Sequence, residues 1–210
     1  MNLHKIFLIL ISLFVIAGCR SNEASNTTKS GADPAVKDEY TKSYLSSAKV
    51  VEEGFYQFES KTGGYTMLFP VHAVISKDFG NEKRENEFES IMYGYNLKGA
   101  SISTRITYEN KPSTSDIEEK QRLLSLSAGY DGSYEKIHAK GKTIYFAKKT
   151  SELKNSKAYV YLSFIKAVNS NQAVEFIFNT RCKKNDESCQ SNVKDLENTA
   201  LKVMTSVNFK

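Results

Sequence analysis

Few residues in this 210-residue chain carry types that could do chemistry, and their spacing narrows what that chemistry is. Two histidines lie beyond the N-terminal segment, His72 and His138, and neither is set among further histidines or cysteines at metal-site spacing. The sequence predicts His72, beside Pro70 and Val71, as a partly buried loop residue, and His138, between Lys136 and Lys140, as an exposed strand residue. No Gly-x-Ser-x-Gly elbow accompanies the serines. Gly141, Lys142 and Thr143 look like the end of a phosphate-binding loop, but the first glycine of that motif would fall on Lys136. A lysine flanked by strand sequence cannot supply the nest of amides, so a tight hairpin turn is the expectation. Acidic residues are scattered, which leaves a glycosidase-type carboxylate pair for the tertiary structure to decide. Cys182 and Cys189 enclose six polar residues; this is not a Cys-x-x-Cys redox motif, and without nearby histidine it is a poor zinc site.

One charge asymmetry stands out. Between Lys136 and Lys157 there are seven lysines and a single acid, Glu152. Lysines on the wet faces and edges of strands discourage edge pairing, and that is one account of them. The other is a face turned to anionic lipid or envelope polymer, for which Lys136, Lys140, Lys142, Lys148 and Lys149 are the candidate contacts. Tyr93, Tyr95, Tyr145, Tyr159 and Tyr161 are read as core and cross-strand packing in preference to an aromatic binding surface.

Composition limits the function classes. With 40% hydrophobic and 25% charged residues, 11 glycines and three prolines, the chain is an ordinary globular one. Its net charge of +5 is too dispersed to imply nucleic-acid binding. Neither a metal nor an organic cofactor is expected.

The N-terminus decides location. His4 and Lys5 precede an apolar stretch of eleven residues, Ile6 to Ile16, broken only by Ser12. As a helix it would be about 16 Å long, half of a hydrocarbon core of roughly 30 Å, so it reads as a secretory signal. Ile16, Ala17, Gly18 and Cys19 resemble the lipobox of bacterial lipoproteins. The resemblance implies acylation of Cys19, cleavage before it, and an extracytoplasmic domain held on the cell membrane or the outer membrane. Multiple acyl chains give stable attachment where one does not. A plain secreted protein with an incidental Cys19 is the alternative. Residues 1–18 are then a lipoprotein signal peptide and residues 19–35 a lipidated cysteine with a flexible tether. Residues 36–210 form a single globular domain. With Cys19 assigned to lipid, Cys182 and Cys189 remain as an even pair outside the cytoplasm, which predicts a disulfide.

The elements that must position these residues follow from periodicity. Tyr40, Tyr44, Leu45, Ala48 and Val51 predict a short helix over Val36–Val51. A hairpin is predicted from Phe55 to Ser60 and Tyr65 to Phe69 around Gly63 and Gly64, and a second from Phe88 to Leu97 and Ser101 to Glu109 around Lys98 and Gly99. Ser115 and Glu118 form a capping-box pattern ahead of Ile117, Leu123, Leu124 and Ala128, with Gly129 as the stop. Strands follow at Ser133–Ala139, Thr143–Lys149, Ala158–Val168 and Ala173–Thr180. A helix is expected over Val193–Met204, and a last strand over Thr205–Phe209. Tyr159, Tyr161 and Ile165 alternate with Val160, Leu162 and Phe164, which marks a central strand covered on both faces.

The result is an α+β domain, an antiparallel sheet covered by two or three helices. Its order resembles the PsbP and Mog1 group of folds over residues 54–209, with Gly64, Tyr65, Phe69 and Pro70 in the early strand that runs into a proline. That resemblance implies a non-enzymatic module that binds an envelope protein, polymer or small ligand. A tethered envelope hydrolase is the competing class, and it requires His72 or His138 to converge with carboxylates and a nucleophile.

Overall fold

The computed structural model describes residues 33–78 and 81–210; Cys19 and the lipobox lie outside the described residues. Asp33 caps the one-turn helix α1 (Pro34–Lys37), accepting from the Ala35 amide at 2.9 Å, and Asp38 caps α2 (Glu39–Lys42), accepting from Thr41 at 2.7 Å. Two caps five residues apart divide the stretch where one longer helix is expected. Leu45 instead forms a β-bridge with Phe58, while Val50 and Val51 are half exposed. Ala35 is fully buried, so the packed domain takes in residues 33–35, which the sequence reading places in the tether.

Strands β1 (Phe55–Glu59) and β2 (Tyr65–Pro70) form the first hairpin. Gly64 is required in its turn, because a Cβ there would lie 2.1 Å from the Tyr108 hydroxyl. Two short strands follow that periodicity could not show, β3 (Val74–Ile75) and β4 (Glu82–Arg84), both paired to β5 (Phe88–Leu97). The second hairpin is completed by β6 (Ala100–Asn110), with the turn at Lys98 and Gly99 as expected. Helix α3 (Ile117–Ala128) is capped by Asp116, which accepts from Glu119 at 3.0 Å, and not by Ser115, which is used in a preceding 3-10 turn. Gly129 ends α3 in the left-handed conformation as predicted, but Leu123 is 42% exposed, so Leu124 carries the buried contact.

Four further strands complete the large sheet: β7 (Glu135–Ala139), β8 (Lys142–Glu152), β9 (Ser156–Ala167) and β10 (Gln172–Lys183). Then come α4 (Glu187–Ser191), α5 (Val193–Thr205) and β11 (Asn208–Phe209). Strand order in the eight-stranded sheet is β3-β5-β6-β10-β9-β8-β7, with β4 beside β5, and every pairing is antiparallel. A second sheet has the order β1-β2-β11.

One face of the large sheet packs on α5 and the small sheet, and the other on α3. Leu196, Ala200, Val203 and Met204 of α5 are fully buried in a core with Ile144, Tyr161, Ile165 and Phe178. Burying each large side chain is worth about 1.5–3 kcal/mol, which holds a 13-residue helix that propensity alone would not. On the opposite face Leu124 meets Val160, Leu162, Phe164 and Ile177. Strand β9 therefore feeds both cores, as its two apolar faces predict.

Register also defines two ends of the sheet. The Lys98–Gly99 turn, the 153–155 turn and the close of β10 lie at one end, since Leu97 pairs Ala100, Ser101 pairs Arg181, and Lys157 faces both Cys182 and Glu152. The Lys140–Gly141 turn and the 168–171 turn lie at the other. Cys182 and Cys189 are joined by a disulfide with Cα atoms 5.6 Å apart, and both are fully buried.

Candidate functional site

The predicted lysine face is broken up by alternation and register. Lys148 points to the α5 side, where its Nζ donates to Glu197 Oε1 at 2.9 Å. Lys149 points to the α3 side and donates to the Gly129 carbonyl at 2.6 Å, satisfying an acceptor left open at the helix C-terminus. Lys142 is a correction: it is 8% exposed and cannot contact an anionic surface. Its ammonium donates to the carbonyls of Thr205, at 2.6 Å, and Val207, and burial lowers its pKa. Lys136 lies 5.8 Å from the Tyr145 ring centre, and Lys140 occupies the turn at the far end.

A different feature emerges beside these residues. Strand β7 has five residues and β8 has eleven, so β7 pairs only with Lys142–Phe146. Among the described residues, Ala147–Glu152 has no strand on its outer side. An open groove of about 380 Å³ adjoins that edge, lined by Tyr130, Tyr134, Ile137, Phe146, Lys148 and Glu197. The Tyr130 and Tyr134 rings meet edge to face at 5.6 Å. Tyr134 shares a 2.9 Å hydrogen bond with Ser125 and Tyr130 donates to the Ser133 carbonyl at 2.7 Å, so both rings are held in place. Burial raises the Tyr134 pKa and keeps its phenol a donor. Aromatic faces, an ion pair and free backbone groups suit capture of an extended chain; they supply no nucleophile with an adjacent base.

The histidines do not converge. His72 stands between β2 and β3 with its side chain 64% exposed, more open than the sequence predicts. Its Nδ1 is 2.5 Å from Asp33 Oδ2, and its amide donates to both Asp33 oxygens at 3.0 Å, which steadies a backbone φ of 67°. His138 is exposed on β7 as predicted, with five strands between that edge and β3. Of the tyrosines read as packing, Tyr93 and Tyr161 are buried, while Tyr95, Tyr145 and Tyr159 are partly buried.

Two buried polar groups escaped the sequence reading. Glu89 accepts from Ser60 Oγ at 2.6 Å and the Lys61 amide at 2.9 Å, and burial raises its pKa. Under α3, Lys120 pairs with Glu109 and lies 3.9 Å from Glu175, whose pKa burial pushes up to about 7. Asp33 was also missed, although Asp followed by Pro at the first helical position is a readable cap signal.

The sequence matches the YvcA_Mog1p family, described as "Putative lipoprotein YvcA", over residues 32–208. The chain belongs to this family. Among curated proteins it is similar to "Putative lipoprotein YvcA" of Bacillus subtilis (strain 168), with 29% identity over 187 residues, covering 84% of this chain and 76% of the relative. Among solved structures it is similar to the Ran-binding protein Mog1p of Saccharomyces cerevisiae, at 12% identity and a TM-score of 0.46, covering 73% of this chain and 94% of that one. It is also similar to a Bacteroides thetaiotaomicron protein, at 11% identity and a TM-score of 0.42, covering 73% and 48%. Membership in a lipoprotein family agrees with the lipobox at Ile16–Cys19. The family match bears out the Mog1 resemblance and begins 22 residues before it, which takes in the α1–α2 segment that is packed into the core.

Proposed function

We propose that this protein is a bacterial lipoprotein anchored through acylated Cys19, whose extracytoplasmic domain is a non-enzymatic binding or accessory module for an extended segment of an envelope protein. The observation that carries the reading is the unpaired Ala147–Glu152 edge of β8 beside the tyrosine-lined groove. An added strand would continue the line of β7 along β8, taking affinity from main-chain hydrogen bonds and selectivity from the groove. Lys148 and Lys149 guard the edge against indiscriminate pairing, as charged edge residues do. The test is a photo-crosslinking residue at Thr150 in the full lipidated chain, with Lys140 as the control position. Adducts from position 150 that map to one extended segment are expected. Equal labelling from both positions would overturn the reading.

A further inference from the structure

The chain joins the domain at a defined end of the sheet. Asp33 is held to His72, and His72 lines a small apolar cleft with Asn96 and Leu97, the last residues of β5. The tether therefore meets the sheet at the same end as the Lys98–Gly99 turn, the 153–155 turn and the disulfide loop.

That end carries the charge that the Lys136–Lys149 run does not concentrate. Lys154, Lys183 and Lys184 line an open cleft of about 490 Å³ together with Asn155 and Asn185. All five are exposed. Among the described residues, none of these three lysines has a carboxylate within 4 Å. Of the nearby acids, Glu152 pairs with Lys157 at 3.1 Å, and Asp186 accepts from Ser188 Oγ at 2.5 Å and the Cys189 amide at 3.1 Å while also feeling the charge of Lys183. The cleft is also braced. The Lys184 amide donates to the Asn155 carbonyl at 3.2 Å, Gln190 donates to the Lys184 carbonyl at 2.6 Å, and the disulfide closes the loop behind them.

We propose that this end of the sheet faces the bilayer and that Lys154, Lys183 and Lys184 bind the phosphates of anionic phospholipid headgroups. The orientation rests on the Cys19 anchor of the proposed function. Cys19 precedes Asp33 by fourteen residues in the sequence, so an anchor on Cys19 attaches the domain through this end. A phosphate seated in this cleft has its oxygens accept from the lysine ammonium groups and the asparagine amides that line it. Each lysine at an anionic surface contributes roughly fivefold in binding.

The test uses the mature chain, residues 19–210 with Cys19→Ser, mixed with phosphatidylcholine vesicles with and without phosphatidylglycerol. Binding is expected only to the anionic vesicles and is lost as salt rises. Replacing Lys154, Lys183 and Lys184 together by Gln should lower it on the order of a hundredfold with an unchanged melting temperature. Replacing Lys136 and Lys140, at the edge and far end, should leave it unchanged. Equal binding to neutral vesicles, equal loss from the Lys136 and Lys140 pair, or retained binding by the triple variant would overturn the proposal. Saturable binding of inorganic phosphate at the cleft without vesicle binding would overturn the lipid assignment. Because the vesicle assay uses unlipidated protein, it stands apart from the anchor, which cell fractionation of wild type against Cys19→Ser reports separately.

Discussion

The ammonium of Lys142 donates to the carbonyl of Thr205 across 63 residues of sequence, at 2.6 Å, and closes the C-terminal end of α5 from the first residue of β8. A cation at that position meets both the open carbonyls and the negative end of the helix dipole. Lys142→Met keeps the stem and removes the donor. We expect a loss of about 1–3 kcal/mol in urea unfolding, because buried carbonyls are left without a partner. Unchanged stability would show that water satisfies them equally well.

Glu175 gives the domain a pH dependence with a defined sign. Its folded pKa lies at about 7, against an ordinary value of 4.5, so the folded state holds the proton more tightly than the unfolded chain. The resulting stabilisation is complete below pH 4.5 and is lost as pH rises through about 7. Burial drives the shift, with Glu109 adding to it and Lys120 and Arg105 opposing it. Glu175→Gln should therefore stabilise the domain at pH 8 on the order of 2 kcal/mol relative to its effect at pH 5. Denaturant titrations of both proteins at the two pH values check it; parallel curves refute it.

The Cys182–Cys189 bond holds the loop ahead of α5. A closed loop of about eight residues is worth roughly 2.5 kcal/mol in the chain-entropy model. The Cys182→Ser, Cys189→Ser double variant should melt lower yet keep its fold, since α5 retains Leu196, Ala200, Val203 and Met204 in the core. A variant that fails to fold would mean the loop is needed to place α5 at all.

Cys19→Ser should release the protein from the membrane fraction, because attachment is assigned to acyl chains on that residue. Fractionation with the variant as firmly bound as wild type would reject the lipobox assignment.

Reading along the chain was sufficient wherever a signal is local. Alternation from Ser101 to Tyr108 separates wet from buried faces residue by residue, Gly129 stops α3, and Lys98–Gly99 turns the second hairpin. These outcomes depend on backbone conformation and side-chain period, which neighbouring residues determine. Two-residue β3 and three-residue β4 carry too short a pattern to be seen, and exist because β5 offers them an edge. Asp116 displaced Ser115 as the cap because a 3-10 turn used the serine first.

The lipoprotein expectation, with which the family match agrees, was read from Ile16–Cys19 without any fold, since a lipobox acts as linear sequence. The sites were not. Seven lysines adjacent in sequence scatter over two faces, two ends and an interior position, because strand period and sheet register send neighbours apart. Lys154, Lys183 and Lys184 come together for the same reason, through the pairing of β9 with β10. Charge along a chain is a local sum, whereas a binding surface is a product of long-range pairing, and only the tertiary structure decides which charges become neighbours.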